Sequence, residues 1–132
     1  MAIWQLSFDV VDKNKDLNDE DIRCWEQEPE KVRDIAFLDK IKDWSKDIET
    51  YGDLEKTCIE LCKENDKATK ISIRLDVRGI SETLLEDIIN YIVGVDGKIL
   101  YKNELFAPSL PELKGIIIKS DAFRFCTNVR RR

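Results

Sequence analysis

Cys58 and Cys62 lie four residues apart, a spacing at which two thiols share one face of a helix and supply half of a metal site. No second pair of ligands at suitable spacing accompanies them. The remaining cysteines, Cys24 and Cys126, stand far away in the sequence. The pattern therefore predicts reduced thiols, with Cys58 and Cys62 as small core side chains, and neither a disulfide scaffold nor a CxxC redox pair. Asp12, Asn14 and Asp16 imitate the start of a calcium loop, but Leu17 stands where that loop turns on a glycine, and Arg23 where it closes on a bidentate Glu. The chain has no His, and so lacks the commonest general base, the commonest metal ligand and the usual partner of a nucleophilic Ser or Cys. Its glycines, at 52, 79, 94, 97 and 115, form neither a phosphate-cradling loop nor a dinucleotide fingerprint. What survives is carboxylate chemistry, in which two acids in a cleft serve as proton donor and acceptor. With 27 acidic side chains in the chain, no pair is marked out. The expectation is a protein without catalytic machinery, metal or cofactor.

The elements that would carry these residues follow from periodicity. At 132 residues and 42% hydrophobic, the chain is long enough for one self-sufficient core, and no linker, repeat or low-complexity segment divides it, so residues 1–132 read as a single domain. Trp4, Leu6, Phe8 and Val10 alternate with polar neighbours, predicting a strand over Ile3 to Val11. The acidic run Asp19-Glu20-Asp21 predicts the start of a short helix, about Asp19 to Gln27, ending near Pro29. Between Glu30 and Tyr51, residues Ile35, Phe37, Leu38, Ile41, Trp44, Ile48 and Tyr51 recur at helical spacing, with Asp39, Asp43 and Asp47 on the opposite arc. Leu54, Cys58, Leu61 and Cys62 suggest a second helix, running up to Glu64-Asn65-Asp66. Lys70 to Arg78 alternates without error and predicts a strand with one wet face. Ser81 caps a helix with the stripe Leu84, Leu85, Ile88, Ile89 and Ile92, closed by Gly94; Asp96-Gly97 then turns into a strand from Lys98 to about Leu105. Ser109-Leu110-Pro111-Glu112 reads as a capping box, although the β-branched run Ile116 to Ile118 leaves Ser109 to Lys119 open to either helix or strand. A last strand, Ala122 to Val129, precedes Arg130-Arg131-Arg132. The fold class expected is α+β: one two-layer domain, about four strands, helices packed on one sheet face. Trp4 and Trp44 are expected to be packing residues.

Charge is unevenly distributed. The chain carries 27 acidic and 22 basic side chains, a formal −5; residues 1–66 hold 19 acidic and 10 basic, residues 67–132 hold 8 and 12. On the expected helices, Asp19, Glu20, Asp21, Glu26, Glu28, Glu30, Asp39, Asp43 and Asp47 form an acidic face that repels nucleic acid and attracts a basic protein. Asp39 with Lys42 and Asp43 with Lys46 are equally the i,i+3 pairs that decorate any exposed helix. A competing reading gives Lys70, Arg74, Arg78 and the terminal arginines to phosphate, without interleaved aromatics to stack on bases. No apolar run approaches the roughly 20 residues of a membrane span, and the start Met1-Ala2-Ile3-Trp4-Gln5 carries no signal-peptide pattern, so the expected location is the cytoplasm.

In profile the chain resembles the immunity proteins of bacterial polymorphic-toxin and contact-dependent growth inhibition systems: acidic, starting in a strand (IWQLSFDVV), with DEDIRCWEQEPE through LCKEN inserted before a second strand (KISIRLDVR). The resemblance implies a cytoplasmic antitoxin that binds and neutralises a cognate toxin, such as a nuclease domain with a basic surface. It transfers no functional residue to any position. Against it stand two other classes, a nucleic-acid or adaptor module using the basic half and a small carboxylate- or Cys-dependent enzyme.

Overall fold

A computed structural model of the chain describes residues 1–42 and 45–130. Its centre is β1 (Gln5–Asp12), flanked by β4 (Lys67–Asp76) and β5 (Gly97–Tyr101); β3 (Cys58–Glu64) and β2 (Ile48–Gly52) extend the sheet beyond β4, and β6 (Glu104–Phe106) closes the other side. All pairings are antiparallel, in the order β2-β3-β4-β1-β5-β6. Among the described residues, three α-helices complete the fold: α1 (Glu82–Gly94), α2 (Leu110–Lys119) and α3 (Asp121–Arg130). The class is α+β, with six strands rather than about four.

Register explains the core. Phe8 lies opposite Ile73 and Ile73 opposite Ile59, while Val10 pairs with both Ile71 and Ile99, so one face of the sheet is a continuous apolar surface. Leu85, Ile88 and Ile92 of α1, Leu113 and Ile116 of α2 and Ala122 of α3 join that same buried cluster. Each such Ile or Leu contributes about 1.5–3 kcal/mol through burial. The opposite face is polar at its middle, where Arg74 pairs with Glu60 at 3.0 Å and Arg23 with Asp9 at 2.9 Å.

Several expected elements are corrected. Residues Asp19 to Gln27 form turns and bends, not a helix, and among the described residues the helix expected between Glu30 and Tyr51 is replaced by irregular chain followed by β2. Its apolar residues are buried from an extended path: Val32 and Ile35 enter the core, and Lys40 bridges to Tyr51 across the outer edge of β2. Trp44 and Asp43 lie outside the described residues. The helix expected from Leu54 to Cys62 is strand β3, because Asn65 and Asp66, both at positive φ (52° and 64°), form a two-residue hairpin turn into β4. Lys102 and Asn103, at 48° and 61°, do the same and split the expected Lys98 to Leu105 strand into β5 and β6. Ala122 to Val129 is helical: the Ser120 hydroxyl accepts from the Phe123 amide at 3.1 Å and caps α3. Ser109 to Lys119 is resolved as helix, its Ser109 hydroxyl accepting from the Glu112 amide.

The connection from β1 to β2, residues 13–47, is far longer than the ~12–15 residues of ordinary loops. It is nevertheless tied down. The Trp25 indole donates to Val10 O at 3.0 Å, its amide to Thr69 O at 2.7 Å, and the buried Tyr91 hydroxyl of α1 to Val32 O at 2.7 Å. Among the described residues, no helix is long and apolar enough to cross a membrane.

Candidate protein-docking groove

The long connection runs beside α1, and between them lie three concavities in a row. The first, about 940 Å³, opens between residues 12–14, the strap 25–31 and the end of α1 at Val93 to Asp96. The second, about 230 Å³, shares Lys31 and Gly94 with the first and is walled by Ala36, Phe37 and Tyr91. The third, about 480 Å³, shares Ala36 and Phe37 with the second and reaches Leu84, Gly52 and Asp76. On α1 the contributing residues Leu84, Asp87, Tyr91 and Gly94 follow helical i, i+3, i+4 spacing. That stripe adjoins the buried one, Leu85, Ile88, Tyr91 and Ile92, and shares Tyr91 with it. The strap forms the other wall.

Carboxylates line all three. Asp12, Glu26, Glu28, Glu30 and Asp96 surround the first, Asp34 and Asp87 the second, and Asp39, Asp53 and Asp76 the third; the lining cations are Lys13, Lys31 and Lys56. Ten carboxylates against three lysines make a formal −7. Counting Arg33, which pairs with Glu28, and Arg78, which pairs with Asp76 at 2.9 Å, reduces this to −5. That equals the charge of the whole chain, so the rest of the molecule is formally neutral. Among the described residues, Glu26, Glu30, Asp34, Asp39 and Asp87 have no ion-pair partner.

The strap is rigidified where it meets the sheet. The Ala68 amide donates to Glu28 at 3.1 Å and, with Arg33, holds that carboxyl below its ordinary range. Arg33 continues to Glu49, which is only 4% exposed and also accepts from the Tyr51 hydroxyl at 2.5 Å. Burial pushes Glu49 upward, but these donors outweigh it and its carboxyl lies below the ordinary value. Arg78 lowers Asp76 in the same way while stacking 4.0 Å from the Trp4 ring.

Of the nine acidic residues singled out in the sequence, Glu26, Glu28, Glu30 and Asp39 meet in this groove. Asp19, Glu20 and Asp21 are exposed on the turns after β1, Asp47 is exposed just before β2, and Asp43 lies outside the described residues. Asp39 and Asp47 share no helical arc, because neither stands on a helix. Asp12, Asp34, Asp53, Asp76, Asp87 and Asp96 also line the groove and are not among those nine. Three of them, Asp76, Asp87 and Asp96, belong to the half of the sequence whose balance is positive, and only the fold sets them against the acidic half. The spacing of Asp87 beside the apolar stripe of α1 was the one available signal.

The cysteines have another setting. On β3, Cys58 faces Arg74 and Cys62 faces Lys70; four residues of strand separate them by about 13 Å, too far to share an ion. Burial pushes the Cys58 thiol up to about 11 and raises Cys62 as well. The DKNKD segment uses Asp12 and Asp16 to accept from the amides of Asn14 and Asn18. Among the described residues, no three acidic or Cys side chains are grouped so as to hold a metal ion. Comparison of the chain with protein-family models, with curated proteins and with solved structures finds no match.

Proposed function

We propose that this protein is a stoichiometric inhibitor of the immunity type, which neutralises a cognate toxin in the cytoplasm by occupying it. The observation that carries the reading is the concentration of the chain's entire net negative charge in one concave, preorganised surface. A field of that sign and shape attracts a basic protein surface, such as the phosphate-binding region of a nuclease domain, and repels nucleic acid. Inhibition by occupancy needs complementary shape and charge and no reacting group. An interface of about 1,600 Å² is within reach of a domain of this size.

An enzymatic reading draws less support. Asp76 is held ionised by Arg78, whereas a carboxylic acid serving as proton donor needs a raised value. Asp9, which burial does raise, is paired with Arg23 on the opposite sheet face.

The test is capture of a one-to-one partner from the native cytoplasm, followed by co-expression. The protein is expected to relieve growth arrest caused by that partner, and Glu26→Lys with Glu30→Lys to slow association at least tenfold. Failure to relieve arrest, or an unchanged association rate, rejects the reading.

A further inference from the structure

The occupant of the groove follows from the order of its walls. The middle, the smallest of the three, presents Ala36 and Phe37 over the buried Tyr91, with the carboxylates Asp34 and Asp87 beside them, and Leu84 lies just beyond. The wide ends are acidic, with Glu26, Glu30 and Asp96 on one side and Asp39 and Asp53 on the other. From Leu84 to Gly94 the groove follows about 15 Å of helix, a distance covered by about five residues of extended chain. The walls need little rearrangement, since Trp25 and Val32 are bonded to β1, β4 and α1. The middle compartment, about 230 Å³, matches a single extended strand of chain in size.

We propose that the groove receives one extended segment of the partner protein, apolar at its centre and cationic toward both ends. The centre lays an aliphatic side chain on Ala36 and Phe37, and the Lys or Arg residues on either side of it reach Asp34 and Asp87 and, beyond them, the two acidic ends. This rests on the reading of the protein as a protein-binding inhibitor and specifies how it binds.

The probe is a fluorescent ten-residue peptide with lysines and arginines on either side of one central leucine, measured by anisotropy in 50 mM salt. A peptide of the same composition with the leucine at its end, and spermine as competitor, complete the set. Binding is expected to be at least fivefold tighter for the centred peptide, and spermine should not displace it at equal charge concentration. Asp34→Lys with Asp87→Lys should weaken binding at least tenfold, and the milder Asp34→Asn with Asp87→Asn at least threefold with native circular dichroism. Glu104→Lys with Glu112→Lys, which adds the same charge outside the groove, should change it less than twofold. No binding, indifference to leucine position, full displacement by spermine, or equal losses in both lysine pairs would overturn the inference. A cognate toxin that still binds the Asp34→Lys, Asp87→Lys protein with unchanged affinity overturns it too, while leaving the inhibitor reading intact.

Discussion

Glu49 shows what one side chain does for the strap. It is 4% exposed, and its carboxylate accepts from Arg33 and from the Tyr51 hydroxyl and forms an ion pair with Lys63 at 3.7 Å. Through Arg33 it connects β2 to Glu28, and through Glu28 to the Ala68 amide of β4. Glu49→Ala removes the shared acceptor; because Arg33 is 39% exposed and keeps Glu28 and water, the expected loss is about 2 kcal/mol rather than the larger cost of a sealed pair. Urea unfolding at pH 7 measures it. Glu28, Glu49 and Asp76 all lie below their ordinary values. Each therefore stays ionised in the fold at a pH where the unfolded chain has already taken up a proton, so the stability they supply is complete above about pH 5 and disappears as acidity passes through the folded-state values. Asp9 acts in the opposite sense, since burial raises it. The expected unfolding midpoint falls steadily below pH 5, and Glu49→Gln makes that fall shallower. A midpoint independent of pH between 5 and 3 contradicts the network.

The elements are held by turns and caps as much as by apolar pattern. Gly52 ends β2 at φ 99°, where an added Cβ would stand 2.3 Å from Thr57 O, whereas Gly115 in α2 has open space around that position. Gly52→Ala should cost more than about 1 kcal/mol, and Gly115→Ala should stabilise by about 0.5–1 kcal/mol through helix propensity, both read from denaturant midpoints. The elements legible in the sequence were those with agreeing signals. The strand at β4 had alternation and α1 had its stripe with Ser81 and Gly94; α2 had its capping box, although its Ile run obscured the choice. Where the reading failed, a local signal was outweighed by pairing. Leu54, Cys58, Leu61 and Cys62 matched helical spacing by coincidence, yet Asn65-Asp66 is a hairpin turn, and β4 and β2 satisfy both backbone edges of β3. The described residues between Glu30 and Asp47 form no helix or named strand to be read, because α1, β2 and the sheet end give their side chains their places. The groove was therefore only partly legible: Glu26, Glu28, Glu30 and Asp39 are conspicuous in the acidic half, while Asp87 and Asp96 become acidic neighbours only after α1 returns beside the strap.

At the scale of the whole molecule, a charge of −5 confined to the groove and a formally neutral remainder amount to a directional field. A basic partner approaching from the groove side is attracted at a distance set by ionic screening, about 30 Å at 0.01 M salt, 10 Å at 0.1 M and 3 Å at 1 M. At the lowest of these the field covers the full row of concavities; at the highest each carboxylate acts only on what touches it. Association with the cognate partner should therefore slow at least tenfold between 0.01 and 1 M salt, in the manner of electrostatically steered encounters. Dissociation should change less, because a segment bound as proposed rests partly on the uncharged walls Ala36 and Phe37. Stopped-flow measurement of both rates across that range separates the contributions. If dissociation carries most of the salt dependence and association is flat, the charge serves close contacts and not steering, and the dipolar arrangement has no part in finding the partner.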